Sequence, residues 1–365
     1  ELFEGDAFEQ LKRIPNETFH CFITSPPYPN SQRDYEVDGQ LGVESSADEY
    51  LTNLLSVILQ GVRTLREKGT GWIILDDAIV NGEYVGVPDR LVGQLKQEGL
   101  KVFHNGPWAK EGIKPDPAPR RFAHTHERVI GIAKSDDYIF DRRAVEDQGD
   151  VIRQPTSAKS NFDAPEVDGI SHDAMFSVEL AEHLIAASVP QHTCPDCGAP
   201  FVPEYTVDDI LDLKENRHKK RVLDAFKRTP EMTREHARAC RSYGLSGRKQ
   251  ASRTQSGTGK NSDRVEKLVD EVLESDFPPS YITEFTYAKR KLTGHTQTCE
   301  CDGVKVGENT VGGIVLDPFV GSGTTCEAAV RHDRHYTGID LNADYLDLAR
   351  ERLNTGVDSS LDQFL

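Results

Sequence analysis

The sequence predicts a doubly wound α/β fold interrupted by an inserted module, and three observations carry that expectation. Short apolar runs alternate with stretches whose apolar residues recur at helical spacing, over residues 1–190 and again over 313–355. From Val315 to Val330 a strand, a glycine-rich turn and a helix start follow one another directly. Between residues 191 and 312 the alternation stops and the local charge changes sign.

His20-Cys21-Phe22-Ile23-Thr24 is an apolar run ending at a Ser-Pro-Pro turn, which predicts a short buried strand. Asp48 to Leu65 sets Leu51, Leu54, Leu55, Ile58, Val62 and Leu65 at helical spacing. Trp72 to Leu75 reads as a buried strand, Pro88 to Glu98 as a helix and Glu127 to Ala133 as a strand. Residues 150–170 read as a loop, and Phe176 to Ala187 as a helix. Past the interruption come a strand (Gly313 to Leu316), a helix (Thr324 to Val330), a strand (Tyr336 to Ile339) and a helix (Asp344 to Leu353), with a tail at 356–365. Strands alternating with helices predict an open, mostly parallel sheet.

The 365 residues suffice for one large domain and an insert. No apolar run approaches the ~20 residues that span a bilayer. The opening Glu1-Leu2-Phe3-Glu4 has neither a basic nor an apolar leader, and no initiator Met, as in a trimmed chain. A cytoplasmic protein with no membrane contact is expected. The net charge of −17 opposes binding to phosphate, unless the basic residues are gathered in one place on an otherwise acidic, halophile-like surface. They are gathered: Lys214 to Lys267 holds 16 Lys/Arg against 6 Asp/Glu, a net +10, leaving −27 for the rest. That stretch includes a low-complexity tract at Gly244–Asn261. Residues 191–312 are therefore expected to form a basic, DNA-contacting insert.

Two motifs carry chemistry. Val315-Leu316-Asp317-Pro318-Phe319-Val320-Gly321-Ser322-Gly323-Thr324-Thr325 combines a strand, a tight turn that lets the backbone approach a ligand, and a helix N-terminus with free N–H groups. The next strand ends at Gly338-Ile339-Asp340, where a carboxylate can accept both ribose hydroxyls of a nucleoside cofactor. Thr24-Ser25-Pro26-Pro27-Tyr28 follows another strand; its prolines fix the backbone and leave carbonyls as acceptors, and Tyr28 offers a flat face to a base.

Together these motifs resemble the amino-methyltransferases of DNA, in the circularly permuted beta class whose catalytic motif precedes the cofactor motif. Ser before Pro-Pro resembles the cytosine-N4 form. The resemblance covers roughly 1–190 and 313–355 and implies a Rossmann-like S-adenosylmethionine-dependent methyltransferase fold. Ser25, Pro26, Pro27 and Tyr28 fall on the catalytic motif. Asp6, in Gly5-Asp6-Ala7, falls where the family contacts the cofactor adenine, and Asp340 where it contacts the ribose. Phe319 and the turn Gly321–Gly323 match the methionine-binding loop; Thr24, Asp317, Pro318, Ser322, Thr324 and Thr325 join the implied cofactor site. Trp108-Ala109-Lys110 and His126 to Ile130 look like the later strand region. Asp173-Ala174-Met175-Phe176 resembles the segment beside the cofactor, with Asp173 replacing the usual His-Pro start. The implied reaction is direct in-line methyl transfer to cytosine N4 in double-stranded DNA, as in restriction-modification systems, with a cognate restriction endonuclease as a candidate partner that the sequence leaves open. Adenine N6 as the target, RNA as the substrate, and a non-catalytic zinc-ribbon DNA-binding protein are the alternatives.

Cys194-Pro195-Asp196-Cys197-Gly198 has the form of a zinc-ribbon knuckle, and Cys299-Glu300-Cys301 supplies a second pair for a structural Zn2+. His192, Cys240 and His295 are substitute ligands. Loss of this metal is expected to destabilise the insert more than the α/β domain. His124-Thr125-His126-Glu127 also has metal-ligand residue types, but alternation along a strand accounts for it, and Cys21 and Cys326 read as core packing.

Overall fold

The computed structural model describes residues 1–29, 39–110, 122–145, 151–153, 176–210, 216–243, 263–278, 281 and 288–361. The chain divides into two compact units, Glu1–Phe201 with Cys299–Leu365, and Val202–Thr298. In chain order the larger unit supplies β1 (Leu2–Glu4), α1 (Ala7–Arg13), β2 (Phe19–Thr24), α2 (Ala47–Thr64), β3 (Leu65–Leu75), β4 (Ile79–Val80), β5 (Glu83–Tyr84), α3 (Val87–Gln97), β6 (Lys101–Ala109), β7 (His126–Ala133) and α4 (Val178–Ser188). The smaller unit is built from β8 (Phe201–Ile210), α5 (Asn216–Arg228), α6 (Arg234–Tyr243), α7 (Asp263–Glu274) and β9 (Ala288–Gln297). The larger unit resumes with β10 (Ile314–Asp317), α8 (Thr324–Arg331), β11 (His335–Asp340) and α9 (Ala343–Leu361).

Among the described residues the larger unit holds a seven-stranded sheet in the order β1-β11-β10-β2-β3-β7-β6. Pairing is parallel from β1 to β3, whereas β7 runs antiparallel to both β3 and β6. The reversal has a consequence for function: the start of β7 lies beside the end of β3, with Arg128 opposite Leu75. From β2, the chain passes through α2 to β3 on one side; from β10, it passes through α8 to β11 on the other. The gap between β2 and β10 is therefore the switch point of the sheet, where open α/β folds place their ligands.

Successive residues of each strand face opposite sides, so each strand feeds two cores. Phe22, Ile73, Leu75, Ile130 and Leu316 pack with α2 and α3 through Leu51, Leu54, Ile58, Leu91 and Leu95. Cys21, Ile23, Trp72, Ile74, Val129 and Val315 pack with α4 and α8 through Leu180, Leu184, Ile185, Ala328 and Ala329. Serine caps begin α2 and α4: Ser46 accepts the Glu49 N–H and Ser177 the Leu180 N–H. No helix among the described residues is long and apolar enough to cross a membrane.

The smaller unit has its own core, in which Val222, Phe226, Cys240, Val269, Val272 and Phe277 are buried. The Phe226 and Phe277 ring centroids lie 4.9 Å apart. The compact smaller unit runs from Val202 to Thr298, inside the insert expected at 191–312. The flanking segments stay with the larger unit because Thr193 and Val311 bond to each other in both directions, at 2.7 and 3.2 Å, and Gly313 donates to Pro190 at 3.0 Å. The tract Gly244–Asn261 and the segment Asp173 to Met175 lie outside the described residues.

Candidate active site

Five strands of the sheet deliver the candidate residues to one edge. β1 ends before Asp6, β2 before Ser25, β3 before Asp76, β10 at Asp317 and β11 at Asp340. The reversed β7 adds Glu127 and the end of β6 adds Lys110 at the same edge.

Asp317 sits at the switch point with 1% of its surface exposed. Its Oδ1 accepts from Thr24 Oγ1 at 2.8 Å and from the Phe319 N–H at 3.1 Å, and its Oδ2 accepts from Thr325 Oγ1 at 2.6 Å. Burial pushes its pKa up to about 6. The bond to Thr24 ties together strands 293 residues apart in sequence. Thr24, Asp317 and Thr325, which the resemblance places at the cofactor site, are linked to one another through Asp317 and hold the start of the loop that follows.

That loop turns through Gly321 (φ +51°) and Gly323 (φ +85°), a backbone region costly for other residues. Gly323 is the N-cap of α8, and a side chain there would press on Ala349 of α9. A buried pair sequence reasoning missed supports the loop: Arg352 on α9 is salt-bridged to Glu327 on α8, and its Nη1 donates to Thr324 Oγ1 at 3.1 Å. It also reaches the Ser322 carbonyl and hydroxyl at 3.4 Å. Pro318 is buried and Phe319 half-buried.

Asp340 receives the Gly321 N–H at 2.8 Å on Oδ2 and the Asn342 N–H at 2.9 Å on Oδ1. It stays partly exposed, and burial raises its pKa. The Gly5 N–H donates to the Asp340 carbonyl at 2.9 Å, which sets exposed Asp6 at the neighbouring strand end. The Asp6 Oδ1 also caps α1 by accepting the Glu9 N–H. Phe176 is 8% exposed and packs in the core with Ile23, Trp72 and Val178.

On the other side of the switch point, Pro26 is buried and Ser25 partly buried. The expectation of two free proline carbonyls is corrected: Tyr50, itself 1% exposed, donates its hydroxyl to the Pro27 carbonyl at 2.9 Å. The Tyr28 hydroxyl donates to Glu127 Oε2 at 2.8 Å and lies 3.2 Å from Ser25 Oγ. Burial and the Glu127 charge raise the Tyr28 pKa well above its usual value. Lys110 is salt-bridged to Glu127 Oε1 and sits 5.4 Å from the centre of the Trp108 ring. Glu127 is 6% exposed, and burial raises its pKa against the pull of Lys110.

His124, weighed as a metal ligand, instead bonds to Asp76 Oδ1 through Nε2 at 2.6 Å, which raises its pKa. The described residues contain one group of three or more ligand-type side chains near enough to share a metal: Cys194, Cys197, Cys299 and Cys301. Cys240 lies in the smaller unit's core.

The sequence matches the N6/N4 family described as DNA methylase over residues 19–226 and 304–351. It is 29% identical over 178 residues to the Type II methyltransferase M.Cfr9I of Citrobacter freundii, covering 41% of this chain and 59% of that relative. The match thus spans less than two thirds of M.Cfr9I. Identity to the Type II methyltransferase M.SmaI of Serratia marcescens is 26% over 382 residues, covering 97% of this chain and 90% of M.SmaI. The solved PvuII DNA methyltransferase (cytosine-N4-specific) aligns with a TM-score of 0.55 at 15% identity, covering 96% of this chain and 85% of that one, which shows a shared fold. With its family match running through both halves of the sheet and through the loops at the switch point, this chain belongs to the N6/N4 DNA methylase family.

Proposed function

We propose that this chain transfers the methyl group of S-adenosylmethionine to the N4 amino group of cytosine in double-stranded DNA. The observation that carries the reading is the Thr24–Asp317 hydrogen bond, which fixes the Ser25-Pro26-Pro27-Tyr28 strand end against the glycine-loop strand. The residues fit the cofactor: the Gly321 and Asn342 N–H groups orient the Asp340 carboxylate, which stays partly exposed to accept ribose hydroxyls. When bound, S-adenosylmethionine supplies an electrophilic methyl group on its sulfonium sulfur.

The chain's task is to aim the amine. The nitrogen lone pair of cytosine is delocalised into the ring, and acceptors for its N–H bonds favour a localised, directed pair. The hydrogen bonds around Ser25 support it as such an acceptor. Tyr28 gives its proton to Glu127, so its oxygen is left to accept, and the Ser25 hydroxyl donates to it. The Ser25 oxygen then presents lone pairs alone. The Pro26 carbonyl stands beside it as a second acceptor, while Pro27 is occupied by Tyr50. Positioning of this kind supplies much of the rate in a direct displacement. The base leaves the duplex to reach the site, at a cost of a few kcal/mol, and stacking on Tyr28 offsets about 1–3 kcal/mol of it.

Double-stranded DNA as substrate and a restriction endonuclease as companion are the partners this reading carries. Helix α5 supports the first, since Lys220, Arg221, Lys227 and Arg228 are all exposed. Neutralising Lys220 and Arg221 is expected to flatten the slope of log affinity against log salt by about one unit per lost phosphate contact; an unchanged slope moves DNA contact elsewhere. The reaction itself is tested with DNA and methyl-labelled S-adenosylmethionine, followed by digestion to nucleosides. Label in N4-methylcytosine is expected. Label confined to N6-methyladenine assigns the other base, and no transfer by a cofactor-bound protein refutes the reading.

A further inference from the structure

We propose that Cys194, Cys197, Cys299 and Cys301 hold a structural Zn2+ that belongs to the catalytic unit, and that this centre rivets the chain's exit to and return from the smaller unit onto the edge of the sheet opposite the active site. The inference is independent of the proposed methyl transfer.

The four sulfurs all lie within 4.8 Å of one another. Four thiolates at about 2.3 Å from a tetrahedral Zn2+ stand about 3.8 Å apart, so a contraction of roughly 1 Å or less completes the shell. Cys194 is buried, Cys197 exposed and the other two intermediate. The turn after Cys197 is a knuckle. Gly198 has φ +69°, its N–H donates to the Cys194 carbonyl at 2.8 Å, and the Cys194 N–H donates to Ala199 at 2.9 Å. The Ala199 N–H also bonds the Cys197 sulfur, as ligand thiolates commonly require. The second pair leads into Gly303 at φ +73°.

The seat of the knuckle points to the sheet. His20 of β2 bonds the Gly198 carbonyl at 2.9 Å through Nε2, and its Nδ1 accepts the Ile314 N–H of β10 at 3.0 Å. Arg66 of β3 donates to the Cys197 carbonyl at 2.9 Å, and its guanidinium lies so close to Gly198 that a side chain there would collide with it. Zn2+ with four thiolates carries a net charge of −2, and Arg66 is a cation laid against that centre. Cys197 lies shortly before the boundary at Val202 and Cys299 immediately after the one at Thr298, so one ion clamps both crossings. The placement reverses the sequence expectation: metal loss strikes the larger unit.

Metal analysis of the reduced full-length protein is expected to find one zinc per chain. Exchange with Co2+ is expected to give thiolate-to-metal absorption of a tetrahedral site. Removing zinc with a chelator under reducing conditions is expected to speed hydrogen exchange at residues 19–21 and 65–70, with residues 216–228 unchanged. The variant Cys301→His, which preserves a ligand, is expected to retain the metal, whereas Cys301→Ser loses it or fails to fold. Bound iron, disulfides among these cysteines in the purified protein, or a folded, reduced, metal-free chain overturns the site. Faster exchange confined to residues 216–228 overturns the rivet.

Discussion

The two ends of one sheet differ in what their polar groups have left to give. At the end holding His20, bonds close on the protein itself: the two ring nitrogens of His20 are used on Gly198 and Ile314, and burial lowers its pKa to about 4, keeping it neutral. At the other end Asp340 stays partly exposed beside the N–H groups that orient it, and Ser25 is bonded so that its oxygen can only accept. Saturated groups hold a fold together; oriented but unsaturated ones bind. The same strands, β2 and β10, run through both ends, so a change at either end should produce a different kind of defect.

Four substitutions probe that contrast. Ser25→Ala should lower kcat by about 10² to 10³, the range for removing one preorganised hydrogen bond at a reacting group. Cofactor affinity measured by calorimetry should stay within twofold. His20→Phe leaves the Ile314 N–H and the Gly198 carbonyl unpaired in a buried setting and should cost about 2–4 kcal/mol in urea unfolding. Its kcat, measured under conditions where it is folded, should be near that of the parent; a loss matching Ser25→Ala would erase the distinction between the two ends. Asp340→Ala removes charge-assisted bonds worth about 1.5–3 kcal/mol and should weaken S-adenosylmethionine about ten- to a hundred-fold.

Glu127→Gln is the subtlest. A glutamine amide can donate to Tyr28 and leave the Ser25 hydroxyl free to turn, so kcat should fall about tenfold (about 1.4 kcal/mol) with cofactor affinity intact. The pH dependence carries the sign. Burial raises the Glu127 pKa, so the ionised form that accepts from Tyr28 and Lys110 is present above that raised pKa and lost as pH falls through it. The parent should show an acid limb in kcat above the ordinary carboxylate range, and Glu127→Gln should lack it. An identical limb in both assigns that titration to another group.

Much of the fold was legible because strand and helix periods are local signals. The α2 stripe through Leu51, Leu54, Ile58 and Val62 and the strand around Trp72 appear close to where the sequence places them. β1 was illegible because three residues with little burial carry no period. The smaller unit's helices were hidden by charge: few apolar positions, such as Val222 and Phe226, make their core. In the site, motifs at strand ends could be read, since glycine, proline and aspartate state their local roles. Glu127 and Lys110 could not be assigned, because their function comes from the reversed direction of β7, a property of pairing across the sheet. The sharing of Asp317 among Thr24, Phe319 and Thr325 is likewise a three-dimensional fact; a buried carboxylate and an exposed one have the same letter.

The central claim is methyl transfer to an exocyclic amine held by Ser25. Its most direct test is a map of modified bases in DNA from a host expressing the protein, set beside the same host expressing Ser25→Ala. N4-methylcytosine at a recurrent sequence with the parent, and its absence or near-absence with the variant, is the predicted result. Unmodified cytosine with the folded parent, or equal modification by parent and variant, would contradict the account.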